Sequence, residues 1–266
     1  MPTSLSTPAA GTAKDSPGVG PWFRSRSETA TLTRIDEPSV HPLLQANVWH
    51  LRGRDRDLIV DTGLGVASLR GHLPHLFDRD PIVVVTHAHL DHMGGAHEFD
   101  TCLAHADENL TSPPPGSLRG APLGVELGMD LREFGVTDDT ILLDALPEPD
   151  YDIDLYRLRP AATVLPVEHG ATIDLGDVTY TVLHLPGHTP GGIALYSEHD
   201  GTLFSGDVVY DDILIDRCHG SNVADYRRSM AELATLDVAR AYAGHGDSFD
   251  GNRLRTLTQI YLDESR

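Results

Sequence analysis

The run His87-Ala-His89-Leu-Asp91-His92 places four side chains able to ligate a metal within six residues. Farther along, His188, Asp207 and His245 bring the candidate ligands to seven, a full set for two metal ions. Imidazole and carboxylate without thiolate suit zinc, with manganese, iron or cobalt able to occupy the same donors. Two such ions sharing a water can generate hydroxide near neutral pH, so the residue types point to hydrolysis. A lone His-x-His would carry no such weight.

These side chains need elements that bring them together. Pro81-Ile-Val-Val-Val-Thr86 reads as a buried strand, and the two-residue spacing of His87 and His89 beyond it projects both the same way. Gly94 and Gly95 then remove side-chain bulk where backbone must approach a crowded site. Thr181-Val-Leu-His-Leu-Pro-Gly187 precedes His188, Gly201-Thr-Leu-Phe-Ser-Gly206 precedes Asp207, and Ala239-Arg-Ala-Tyr-Ala-Gly244 precedes His245. Each time an apolar segment ends in glycine and a ligand follows. Strand ends that share one sheet edge can gather ligands that are far apart in sequence.

Residues 1–28 are rich in Pro, Ser, Thr, Ala and Gly, a composition that predicts a flexible tail before a single domain over 29–266. A strand starting near Leu44, a turn over 53–57 and Leu58-Ile-Val-Asp61 predict an opening hairpin. Val66, Leu69 and Leu73 follow helical spacing. Strands are expected over 178–185, 192–197 and 202–205, and helical faces at Val223, Tyr226, Met230 and Leu233 and again at Leu254, Leu257 and Tyr261. Strand runs with flanking helices predict an α/β fold of two packed sheets with helices outside. The interval between His92 and His188 exceeds one strand-helix-strand unit. About 105–168 therefore reads as an inserted cap, which either completes packing or forms a lid over an apolar substrate pocket.

The formal charge is −20, and Lys14 is the only lysine. Such acidity disfavours nucleic-acid partners, whose phosphates need a basic surface, and suits a solvated exterior. Cys102 and Cys218, the only cysteines, are too few for a disulfide framework, and the expected setting is reducing and cytoplasmic. No apolar stretch predicts a membrane span or a leader. Oligomeric state leaves no trace in the sequence.

Thr86-His-Ala-His-Leu-Asp-His92, with Gly187-His188, Gly206-Asp207 and Gly244-His245 in that order, resembles the metallo-β-lactamase superfamily across roughly residues 44–262. The resemblance implies a four-layered αβ/βα sandwich with a dinuclear site on the edge between its sheets. It further implies that His87, His89 and His188 hold one metal, that Asp91, His92 and His245 hold the other, and that Asp207 bridges them. Asp61 matches the family's short aspartate motif and would orient a ligand histidine from behind.

Branches of the superfamily separate on detail. Metallo-β-lactamases carry cysteine or serine where Asp207 stands. Glyoxalase II continues into a C-terminal helical region, whereas 21 residues follow His245 here (266 − 245). Ala46-Asn-Val-Trp49, Leu58-Ile-Val-Asp-Thr-Gly-Leu-Gly65 and Leu203-Phe-Ser-Gly-Asp-Val-Val-Tyr-Asp-Asp-Ile-Leu-Ile-Asp216 resemble the acyl-coenzyme A thioesterase branch, which implies a small-molecule acyl thioester substrate. Tyr210 also coincides with a substrate-contacting tyrosine of N-acyl homoserine lactone lactonases, and mononuclear iron persulfide dioxygenases share much of the histidine motif. On the thioesterase reading, the two zinc ions activate hydroxide, Tyr210 donates a hydrogen bond to the developing oxyanion, Asp91 shuttles a proton and Asp207 spans both ions.

Overall fold

A computed structural model describes residues 18–19 and 21–265. Seven strands form the first sheet in the order Arg24–Ser27, Leu32–Asp36, Asn47–Arg52, Asp57–Val60, Ile82–Val84, Cys102–Ala104 and Val164–Pro166. The first four pair antiparallel and the remaining pairings are parallel. Six strands form the second sheet, Thr172–Asp174, Thr179–His184, Ile193–Ser197, Thr202–Gly206, Arg240–Ala243 and Phe249–Asp250. Its one parallel pairing joins Thr202–Gly206 to Arg240–Ala243.

Period-two alternation explains the layers. Trp49, Leu51, Leu58 and Val60 of the first sheet meet Tyr180, Val182, Leu195 and Phe204 of the second in a core between the sheets. The intervening Val48 and Ile59 face the opposite way, into a core shared with Leu69, Leu90, Met93 and the inserted segment. On the far side of the second sheet, Leu203 and Ala241 pack under the helices Val223–Leu233 and Gly251–Glu264 through Tyr226, Met230, Leu233, Leu254 and Leu257. The architecture is the expected pair of mixed sheets flanked by helices.

Three expectations change in detail. The tail expected over 1–28 is ordered at its described end: Trp22 is 1% exposed and donates its indole N–H to Glu37, and Arg24–Ser27 is a strand. Composition missed this because one buried indole and one strand pairing order a segment that is otherwise polar; positions 1–17 and 20 lie outside the described residues. The predicted hairpin forms as Asn47–Arg52 with Asp57–Val60, but two strands of the same sheet precede it. The cap ends earlier than residue 168, since Val164–Pro166 returns as the edge strand of the first sheet. Within it, Leu110, Leu118, Leu123, Leu142 and Leu158 are all buried in the core, so much of the insertion completes packing.

Candidate metal centre

All seven predicted ligands meet at the edge where the two sheets face each other. The strand Ile82–Val84 ends before Thr86, and His87 and His89 leave it through a loop, with His89 opening the short helix Leu90–Met93 that carries Asp91 and His92. One turn of helix is too short to be stable alone. Here it is held by the loop after Asp57–Val60: Thr62 donates both its N–H and its hydroxyl to the His92 carbonyl at 2.8 Å, and Gly94 N–H reaches the Gly63 carbonyl at 2.9 Å. A Cβ on Gly94 or Gly95 would strike the backbone of that same loop. The two glycines thus admit the Thr62–Leu64 backbone, not the ligands themselves.

His245 is placed from across the sandwich. Asn47 and Trp49 of the first sheet donate side-chain N–H groups to the Ala243 carbonyl, each at 3.0 Å, at the end of a second-sheet strand. Gly244 is required next, because a Cβ there would collide with Asp207 Oδ1.

The ligand atoms fall into two groups. His89 Nδ1 lies 3.1 Å from His87 Nε2 and 3.0 Å from His188 Nε2. In the other group His92 Nε2 and His245 Nε2 are 3.3 Å apart, and Asp91 Oδ2 is 3.4 Å from His245 Nε2. Asp207 sits between them: Oδ2 is 3.3 Å from His245 Nε2, 3.7 Å from His188 Nε2 and 4.0 Å from His87 Nε2, while Oδ1 is 3.3 Å from His92 Nε2. Atoms that share one tetrahedral ion at about 2.0–2.1 Å stand about 3.3–3.4 Å apart, so this spacing fits metal ligation. Asp207 Oδ1 is also buried with no hydrogen-bond partner. A buried carboxylate oxygen left this way is costly unless a cation meets it.

Hydrogen bonds behind the rings choose which nitrogens face inward. His188 Nδ1–H donates to the Ile215 carbonyl at 2.8 Å, and His92 Nδ1–H donates to Asp61 Oδ2 at 2.8 Å. Asp61 further accepts the Thr86 N–H at 2.7 Å and the Thr86 hydroxyl at 2.9 Å, and that hydroxyl oxygen lies 3.1 Å from His87 Nδ1. Asp61 therefore stands behind the cluster, bonded to Thr86 and His92.

Electrostatics distinguish the two groups. Burial, then neighbouring imidazoles, hold His87 well below the usual histidine range and His89 at about 3, and burial lowers His188 as well. These rings are neutral donors with lone pairs available. Burial opposes charge on His92 and His245 too, but Asp207 with Asp61 and Asp91 lifts His92 well above its usual value, and Asp207 with Asp91 lifts His245 to about 10. The carboxylates thus demand positive charge, which a bound metal supplies by displacing protons.

The cluster opens into a cavity of about 470 Å³. Leu43, Leu127, Met129, Phe134, Ile213 and Ile215 give it an apolar wall, three of them from the inserted segment. Tyr210 lines it as well, its ring centroid 5.5 Å from that of His245. Its hydroxyl is engaged, donating to the Ile213 carbonyl at 2.9 Å.

A further grouping, His105, Asp107 and His184, lies apart. Its two imidazoles stack at 3.8 Å with 10° between planes, so their in-plane lone pairs do not converge on one point. Sequence reading missed Glu108, whose buried carboxylate reaches two of the ligand-bearing loops. Nothing in its spacing marks it out.

The profile of the Metallo-beta-lactamase superfamily matches residues 41–245. The chain is 31% identical over 260 residues to the acyl-coenzyme A thioesterase MBLAC2 of Homo sapiens, a match covering 92% of this chain and 88% of that protein. A hydroxyacylglutathione hydrolase of Xanthomonas euvesicatoria is 30% identical over 169 residues, covering 61% of this chain and 46% of that one. Among solved structures, a metallo-beta-lactamase family protein from Thermus thermophilus superposes with a TM-score of 0.63 at 24% identity, over 89% of this chain and 80% of that one. The sheets, the ligand order and the sequence matches agree, and the chain belongs to the metallo-beta-lactamase superfamily.

Proposed function

We propose that this chain is a dinuclear zinc hydrolase that cleaves an acyl thioester of the coenzyme A type, working in the cytoplasm with both cysteines unpaired. The observation that carries the reading is the cavity, which joins a cluster of metal donors to an apolar wall. Similarity to an acyl-coenzyme A thioesterase over nearly the whole chain supports the thioester. His87, His89 and His188 are assigned to one ion, Asp91, His92 and His245 to the other, and Asp207 to both. Bound there, the ions supply Lewis acidity toward an acyl carbonyl and lower the pKa of water.

The chain's own groups do the rest. Leu127, Met129, Phe134 and Ile213 take the acyl chain and exclude water from the carbonyl. Asp91 turns Oδ2 toward His92 and His245, and its other oxygen is assigned to carry a proton toward the leaving thiol. Tyr210 would serve the oxyanion only by exchanging the Ile213 carbonyl for the substrate.

The test is thiol release from a series of acyl-coenzyme A esters by the zinc-loaded protein. Each added methylene that enters the cavity contributes about 0.8 kcal/mol, so kcat/KM rises about fourfold per methylene until the wall is filled. Phe134→Ala moves that limit to longer chains. Absence of thiol release from every ester, or a rate indifferent to chain length, overturns the reading.

A further inference from the structure

Glu108 lies near the start of the inserted segment, just past the strand Cys102–Ala104, and its side chain is buried. Oε2 accepts the Ala88 N–H at 2.7 Å, and Oε1 accepts the Gly191 N–H at 2.8 Å. Ala88 is the residue between His87 and His89, and Gly191 lies three residues after His188. One carboxylate therefore ties together the two backbone loops that present the three nitrogens of one ligand group. Those loops follow strands of different sheets.

Hydrogen bonds from backbone N–H to an ionised carboxylate are shorter and stronger than neutral ones, and two on one rigid group define the distance between their donors. Gly191 is fitted to this contact, since a Cβ there would press on the Glu108 side chain at 2.8–3.0 Å. The other ligand group is braced by Asp61 directly through His92, whereas Asp61 reaches His87 only by way of the Thr86 hydroxyl.

We infer that Glu108 is a positioning residue that sets the spacing of His87, His89 and His188, and with it the metal affinity of that half of the centre. It touches no reacting atom. The inference rests on the two-ion reading given above.

The test is zinc titration of the full chain against a chromophoric chelator, repeated with cobalt, whose visible absorption reports ligand geometry. In Glu108→Ala, one of two metal equivalents should bind about 10–100-fold more weakly, the usual loss when a group supporting a ligand is removed. The second should hold its affinity, and the cobalt band of the weakened site should shift. Glu108→Gln keeps one acceptor and should fall between; it decides the matter if the alanine protein does not fold. Two equivalents bound as tightly as before, or both weakened equally alongside a lower melting temperature, overturn the inference. A protein that holds one equivalent overturns the two-ion reading instead. In that case the same comparison still judges Glu108, by whether that equivalent weakens.

Discussion

Asp61 shows how much one side chain is asked to do. It is the only described non-glycine residue with positive φ, at 63°, a conformation that costs an L-residue about 1–2 kcal/mol. Its N–H bonds to the Val84 carbonyl and its carboxylate takes three donors from Thr86 and His92, so the surroundings hold it there. Strain kept in place this way marks a functional position. Tyr210 is the contrasting case. Burial, with Asp207 next, pushes its hydroxyl well above the usual tyrosine range, so it stays a donor, but the proton already goes to Ile213. Tyr210→Phe should therefore change kcat by less than about threefold at full metal content. Stopped-flow turnover decides this, because loss of a true oxyanion donor lowers kcat about 100-fold or more.

Between elements, Glu37 links the segment ahead of the strand Arg24–Ser27 to the loop that follows Asp61. Its carboxylate accepts the Trp22 indole N–H and the Leu64 N–H, both at 2.7 Å. Burial raises its pKa to about 7 from 4.5, despite those two bonds. The sign follows from linkage: a raised folded pKa contributes stability that is complete below the unfolded value near 4.5 and is lost as pH climbs through about 7. Glu37→Gln has no proton to exchange, and its amide faces one of the two donors, so it should be less stable at every pH. The gap between the proteins should narrow from pH 5 to pH 8, by at most about 1.4 kcal/mol per unit. Urea unfolding at four pH values measures it, and a gap that stays constant would assign Glu37 an ordinary pKa.

The whole molecule carries −20 formal charges and buries Asp61, Asp91 and Asp207 around one cluster. Bound cations offset both the local and the global repulsion. Zinc held at 100–1,000 times its Kd should stabilise the fold by about 3–4 kcal/mol. Chelation should remove that increment and lower Tm. Raising salt from about 10 mM to 150 mM should then restore part of the loss, because the Debye length falls from about 30 Å to about 8 Å. Calorimetry with and without chelator at both salt concentrations tests this; a Tm unmoved by chelation would dissociate the cluster from folding.

The seven candidate ligands that meet in the cluster could be picked out in the chain itself, because donor chemistry belongs to the side chain and the strand-glycine-ligand pattern is local. So were the hairpin, the late strands and the two amphipathic helices, whose periodicities follow from backbone geometry. Convergence was decided elsewhere. Trp49 reaches Ala243 across 194 residues, Asn47 reaches the same carbonyl across 196, and Ile193 N–H bonds Thr86 O at 3.0 Å. Glu108 spans 83 residues to Gly191, and Trp22 lay within a stretch whose composition argued for disorder. Trp22 packs on the outer side of the first sheet, but the other contacts exist only once one sheet lies on the other. Local pattern can specify which faces are apolar, but not which polar atoms will meet when those faces close.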